Sequence, residues 1–122
     1  MILFIKGRLK SFKYAFRGMF FLLKTEHSIM AQTFIFLLVI LLGFYAGISK
    51  QDWINQSLAM GLVMGVEGMN TAVEKLADFI HKEQHPKIGF IKDISAGAVS
   101  FAAITFVIIF LITYLPFILK LI

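Results

Sequence analysis

The sequence predicts an all-α membrane protein, in which an N-terminal amphipathic helix on the membrane surface precedes three membrane-spanning helices. Of the 122 residues, 59% are hydrophobic, and the mean hydropathy is +0.85. A soluble domain of this length carries a smaller apolar fraction. Two long runs are almost free of charge, and a third begins apolar and ends acidic. We expect one domain over residues 1–122.

Composition also narrows the chemistry and the partners. Cysteine is absent, which excludes a disulfide framework, a thiolate metal site and a cysteine nucleophile. The formal net charge is +5, but the basic residues lie beside apolar segments rather than along a groove studded with aromatic residues. We therefore expect anionic lipid headgroups and phosphate groups as partners, and no nucleic acid.

Residues 1–24 predict an interfacial amphipathic helix, because most of their cations fall opposite their bulky apolar residues on a helix. The cations are Lys6, Arg8, Lys10, Lys13, Arg17 and Lys24, and the apolar residues include Phe4, Leu9, Phe12, Phe16, Phe20 and Leu23. A secretory signal is the alternative. However, cations recur throughout the segment, and no small-residue cleavage site follows an apolar region. We expect the segment to be retained.

Three spans are predicted at about residues 28–48, 54–79 and 94–119, since about 20 apolar residues cross a bilayer. Trp53 stands where an interfacial aromatic anchor is expected. Gly43 on the first span, and Gly61 and Gly65 on the second, predict surfaces where helices pack closely. The polar stretch from residue 81 to 92, which contains Pro86, is predicted to be a loop.

Lysine and arginine counts predict the orientation of these spans. The N-terminal segment and residues 75–92 are rich in both, whereas Lys50 and Lys120 stand nearly alone. Cytoplasmic flanks carry an excess of lysine and arginine. The N-terminus and the loop between the second and third spans are therefore expected on the cytoplasmic side.

Glu67, Asn70, Glu74 and Asp78 fall on one side of a helix, along a stripe about 16 Å long at ~1.5 Å per residue. Glu67 lies deepest, behind an apolar run. A carboxylate there is unfavourable unless it faces protein, water or a metal, so it indicates a functional site. The alternative is ordinary ion pairing with neighbouring lysines. Glu67 has no lysine at i+3 or i+4 on its own helix.

A family resemblance covers nearly the whole chain. The run from Glu67 through Asn70-Thr71-Ala72-Val73-Glu74 to Asp78, followed by Lys92-Asp93 and then Ala96, Ala98 and Val99, resembles the small bacterial integral-membrane diacylglycerol kinases and their undecaprenol kinase relatives. Tyr14 and Glu26 also fall where that family has an aromatic residue and a glutamate. The combination of both motifs is specific.

The resemblance implies an ATP- and magnesium-dependent lipid kinase of the bacterial cytoplasmic membrane. The expected reaction converts diacylglycerol to phosphatidate, with undecaprenol as the alternative acceptor. It also implies a homotrimer whose active sites are shared between adjacent chains. A cation-binding or transport protein that works without ATP is the competing class, because the acidic stripe alone is compatible with it.

The resemblance also assigns roles to residues. Glu26 and Glu74 match the family's metal ligands, Glu67 matches its proposed general base, and Asn70 would orient Glu67 or the substrate. The positions matched to the nucleotide are Tyr14, Glu26, Glu74, Asp78, Glu83, His85, Lys92 and Asp93, and those matched to the lipid are Glu67 and Ala96. The chain has no glycine-rich phosphate loop of the common nucleotide-binding classes. It departs from the family pattern at Ser28, Met30 and Gln32, which leaves lipid specificity there open.

Overall fold

The computed structural model describes residues 1–122 as four helices and no strands. The helices are α1 (Ile2–Thr25), α2 (His27–Ala46), α3 (Lys50–Ile80) and α4 (Pro86–Leu119). The all-helical prediction is confirmed. Within the bundle, α3 and α4 form an antiparallel pair joined by five residues, and α2 packs against α3.

Helix α1 lies apart from the bundle core and has no buried residue. Phe4, Phe12 and Phe16 are each more than half exposed. Five cations, spaced four, three, four and seven residues apart, share one face of the helix: Lys6, Lys10, Lys13, Arg17 and Lys24. The predicted amphipathic helix is therefore present, and most of its apolar side is exposed, except in the last turns, where Leu22 approaches Gly68 of α3.

Helices α2 and α4 are both long and apolar enough to cross a membrane. Large apolar side chains such as Phe44 and Phe101 point outward from them and are more than 70% exposed. Helix α3 does not reach the same apolar content, because its C-terminal half carries Glu67, Glu74, Lys75 and Asp78. Two spans are thus supported by composition, and the third stays a prediction.

The structure corrects the predicted loop over residues 81–92. Helix α4 begins at Pro86, and the connection from α3 is only five residues long. Proline is favoured in the first turn because its missing N–H would have no partner there and its φ suits a helix. His85 caps the turn by accepting a hydrogen bond from Lys87 N at 3.1 Å. Lys92 and Asp93 therefore lie on α4.

Helix α3 also begins earlier than the predicted second span. Ser49 and Asp52 form a capping box, in which each side chain accepts a hydrogen bond from the other residue's backbone N–H. Such a box satisfies donors that the first helical turn leaves free. The helix therefore starts at Lys50, and Trp53 lies within its first turn.

The core extends from the middle of the bundle towards the end where α3 begins. It contains Phe36, Val39, Met60, Val63, Ala102 and Tyr114. The Tyr114 hydroxyl is fully buried, 2.6 Å from Gln56 Oε1. A Cβ added at Gly43 would lie 2.8 Å from the Trp53 ring, which confirms the predicted close packing at Gly43. This core holds α2, α3 and α4 together and leaves the other end of α3 polar.

Candidate active site

The acidic stripe continues the buried face of α3. Buried residues recur along this helix at alternating spacings of four and three: Gln56, Met60, Val63, Glu67 and Asn70. Glu67 is only 7% exposed and Asn70 only 9%. Glu74, one turn further on, is half-buried. Three members of the stripe therefore point into the protein, in line with its apolar core.

Asn70 connects to the next acid along this face. Its Nδ2 donates a hydrogen bond to Glu74 Oε1 at 3.2 Å. Its Oδ1 is buried and has no hydrogen-bond partner. Glu67 is not part of either ion pair in the chain. The buried face thus presents a free amide oxygen and an unpaired carboxylate one turn apart.

Glu26 reaches the same region from the junction of α1 and α2. It is the single residue between these helices, and its backbone N–H donates to Leu22 O. Its Oε1 lies 3.1 Å from Lys75 Nζ on α3 and accepts a hydrogen bond from Thr25 Oγ1 at 3.3 Å. The junction between α1 and α2 is therefore held against α3.

Ion pairing accounts for part of the acidic stripe, as the alternative interpretation expected. Lys92 Nζ of α4 pairs with Asp78 Oδ1 at the end of α3. Lys75 pairs with Glu26 rather than with a member of the stripe. Glu67 and Glu74 have no such lysine partner, so ordinary pairing does not explain the inner half of the stripe.

An open cavity of about 600 Å³ lies where α3 ends and α4 begins. It is lined by Asp78, His81, Lys82, Glu83, Gln84, His85, Pro86, Ile88, Gly89 and Lys92. Four of the residues matched to the nucleotide therefore meet here: Asp78, Glu83, His85 and Lys92. The structure adds His81 and Lys82, which sequence reasoning missed. Both residues lie within five positions of Pro86, which begins α4, and their position in this short loop was the feature of the sequence that could have indicated them.

The remaining predicted residues lie outside this cavity. Tyr14 is 56% exposed on α1, with Lys10 Nζ 6.0 Å from the centre of its ring. Asp93 and Ala96 are exposed on α4, directly after Lys92 and one turn beyond it. One chain does not bring these three residues together with the cavity.

No group of three or more potential metal ligands converges within the chain. Glu26 and Glu74 each supply one carboxylate, and neither Oε2 atom is engaged in a hydrogen bond or an ion pair. Magnesium is commonly bound by one or two carboxylates together with phosphate oxygens and water. The oxygen donors present therefore suit magnesium that arrives with a nucleotide.

Comparison with known proteins agrees with these observations. The family model for prokaryotic diacylglycerol kinase matches residues 13–114. Undecaprenol kinase from Bacillus subtilis is 34% identical over 107 residues, which cover 88% of this chain and 87% of that protein. Diacylglycerol kinase from Haemophilus influenzae is 32% identical over 94 residues, covering 77% and 80% of the two chains. The chain therefore belongs to the prokaryotic diacylglycerol kinase family and is a membrane lipid kinase with a nucleotide co-substrate.

Proposed function

We propose that this kinase transfers the γ-phosphate of ATP to a hydroxyl of a membrane lipid, with diacylglycerol as the first acceptor and phosphatidate as its product. The observation that supports this proposal is the change from apolar to polar surroundings along α3. Apolar core residues lead to Glu67, a residue that is 7% exposed and whose carboxylate takes no part in an ion pair, and then to the polar cavity beside Asp78. A lipid hydroxyl at the membrane boundary and a nucleotide in the cavity can both approach the acidic half of such a helix.

Glu67 is proposed as the general base. The hydroxyl oxygen of the lipid forms the new bond to the γ-phosphorus, the bond between that phosphorus and the ADP oxygen breaks, and the hydroxyl proton passes to the Glu67 carboxylate. Asn70 lies one turn away with a buried, unpartnered Oδ1. The second hydrogen of Asn70 Nδ2, beside the one donated to Glu74, can donate to the hydroxyl oxygen of the lipid and leave the hydroxyl proton directed towards Glu67.

The cavity at the turn between α3 and α4 is proposed to hold the nucleotide. Lys92 and Lys82 place two cations on its wall, and cations on the phosphates stabilise the charge of the transferring group. Glu83 and His85 supply polar side chains from the loop. Tyr14 and Asp93 complete the proposed set, either after a movement of the nucleotide-free chain or from an adjacent chain, and Ala96 is proposed to face the lipid.

Glu26 and Glu74 are proposed to bind the magnesium ion that accompanies ATP. Magnesium, when bound, neutralises charge on the phosphates. The two carboxylates come from different places, the α1–α2 junction and the inner face of α3, so their separation depends on how α1 sits against α3. In the single chain, α1 approaches α3 through the ion pair between Glu26 and Lys75 and through Leu22, whose Cδ1 lies 3.0 Å from a Cβ built at Gly68.

A homotrimer with shared active sites is proposed as the working assembly. Gly61 and Gly65 have no atom within 4 Å of an added Cβ, so the close packing predicted at these glycines is not made within one chain and is available to another copy. The proposed topology has three spans, with the N-terminus and active site in the cytoplasm. The mass of the protein in detergent, from light scattering with the detergent contribution subtracted, tests the assembly.

Undecaprenol is the second candidate acceptor. The match to the Bacillus subtilis undecaprenol kinase covers larger shares of both chains than the match to the Haemophilus influenzae diacylglycerol kinase. Both lipids present a primary hydroxyl at the membrane boundary. Phosphorylation of either lipid uses the chemistry proposed for Glu67. The choice between the two acceptors therefore depends on the apolar residues that contact the lipid chains.

The deciding experiment uses purified protein in mixed micelles with ATP labelled on its γ-phosphate. Micelles contain diacylglycerol, undecaprenol or neither, and the labelled lipid is extracted and quantified. We expect phosphatidate to form faster than undecaprenyl phosphate. The reverse order would assign the enzyme to undecaprenol. If neither lipid is labelled and the protein instead moves cations across vesicles without nucleotide, the transport alternative becomes the better account.

A further inference from the structure

Lys75 follows Glu74 on α3, but it points to a different side of the helix because successive residues are rotated by about 100°. Its Nζ lies 3.1 Å from Glu26 Oε1 and 5.5 Å from the centre of the Phe21 ring. An ammonium group therefore occupies one side of a carboxylate that the proposed function assigns to magnesium. Either the ammonium or the metal can neutralise that carboxylate.

This ion pair is open to solvent, with the Lys75 side chain 55% exposed and that of Glu26 23% exposed. Exposed ion pairs are weak and shift an equilibrium by at most about fivefold. A divalent cation at Glu26 would repel the Lys75 ammonium, and the exposed, flexible lysine can move away. The pair is therefore easily exchanged when a metal arrives.

Lys75 has a suitable new partner once a nucleotide is bound. It stands between Glu74 and Asp78, the latter about 4.5 Å further along α3 at ~1.5 Å per residue, where the cavity begins. Two other lysines, Lys82 and Lys92, line the cavity itself, and Lys92 is paired there with Asp78. Phosphoryl transfer requires cations around the transferring phosphate. Lys75 is next to Glu74 in the chain and is paired with Glu26, the two residues proposed to bind the metal. Its ammonium group is therefore placed to act as one of the cations around the phosphate.

We propose that Lys75 is a phosphate-contacting residue that holds Glu26 in the nucleotide-free chain and exchanges this carboxylate for the phosphates of ATP when magnesium-ATP binds. The inference rests on the proposed function, since it takes Glu26 as a metal ligand and ATP as the nucleotide. It has a distinctive consequence. Removing the ammonium should strengthen the binding of metal alone and weaken the binding of metal with nucleotide.

The test measures these two affinities in Lys75→Met. Free Mn²⁺ in detergent solution is followed by electron paramagnetic resonance, first without nucleotide and then with a non-hydrolysable ATP analogue, whose own binding is followed by calorimetry. Metal alone should bind about two- to fivefold more tightly, because it no longer competes with an ion pair. The analogue with metal should bind about tenfold more weakly, because a charged hydrogen bond is lost.

Lys24→Met is the matched control. Lys24 is an exposed cation in the last turn of α1 that takes no part in an ion pair, so this variant loses the same charge without releasing Glu26. It should show neither shift. Lys75→Arg should recover most of the analogue affinity. In a Glu26→Gln background, Lys75→Met should no longer tighten the binding of metal alone, because the released carboxylate is gone.

The proposal is contradicted if the two affinities of Lys75→Met move in the same direction, or if neither moves. Lys75→Gln replaces the methionine variant if the latter does not remain monodisperse. Lipid phosphorylation by the unmodified protein is measured in the same micelles. Failure of that reaction would contradict the proposed function, whereas normal reaction without opposite shifts in Lys75→Met would contradict only the role of Lys75.

Discussion

Asn70 and Glu74 are joined by a hydrogen bond of 3.2 Å, from Nδ2 to Oε1, across one turn of α3. Glu67 lies one turn to the other side of Asn70 and takes no part in this bond. The amide therefore fixes the proposed metal carboxylate while its own Oδ1 stays free. Because only Glu74 is held in this way, the roles of the two glutamates should be separable by substitution.

Glu67→Gln should lose most lipid phosphorylation while it retains magnesium-ATP binding. Loss of a general base typically lowers turnover by about 10²- to 10⁴-fold, and Glu67 lies about 10 Å from Glu74 along α3 at ~1.5 Å per residue. The measurements are the turnover number in mixed micelles and the affinity for a non-hydrolysable analogue. Turnover at the unmodified rate with normal binding would make Glu67 a buried structural carboxylate.

Glu26→Gln and Glu74→Gln should each shift the magnesium dependence of the reaction to higher concentration and lower its maximal rate. Each substitution removes one anionic ligand from a site that has few protein ligands. The check is a magnesium titration of activity at saturating ATP, with the oligomeric mass measured in parallel to exclude misassembly. Unchanged titrations in both variants would refute the metal assignment.

Lys92→Met should raise the apparent Michaelis constant for ATP and lower turnover, because a cation on the phosphates acts in both the ground state and the transition state. Asp78, its partner, is 61% exposed and stays hydrated without it, so the fold should be little affected. The Michaelis constant for the lipid should barely change. Lys87→Met, at an exposed position of α4 outside the cavity, is the control and should leave ATP dependence as it was.

Gly43→Ala should lower the thermal stability of the bundle. The new methyl group would meet the Trp53 ring at 2.8 Å and the Tyr114 hydroxyl at 3.0 Å, and overpacking of a core typically costs about 1–3 kcal/mol. Thermal unfolding in detergent, followed by circular dichroism, gives the midpoint. Gly7→Ala is the control, since nothing lies within 4 Å of an added Cβ there. Equal midpoints for the two variants would contradict the packing at Gly43.

Helix content and the position of the acidic stripe were predictable from local pattern. Charge spacing in residues 1–24 predicts α1, the apolar run after Glu26 predicts α2, and helical periodicity puts Glu67, Asn70 and Glu74 on one face. The boundary at Pro86 was predicted wrongly, since a proline that ends one element can also begin the next. Pro86 begins α4 because the preceding residue, His85, caps the first turn of that helix. Whether such a cap forms depends on the three-dimensional structure.

The sequence by itself determined that the chain is apolar, helical and organised around carboxylates on one face, because composition and period are local properties that each segment carries alone. Only the tertiary structure decided which charges meet. Glu26 is 49 positions from Lys75 in the chain and 3.1 Å from it in space, and the short loop before Pro86 brings Lys92 to Asp78. Such pairs depend on how helices pack, and packing is set by long-range contacts such as that between Gly43 and Tyr114.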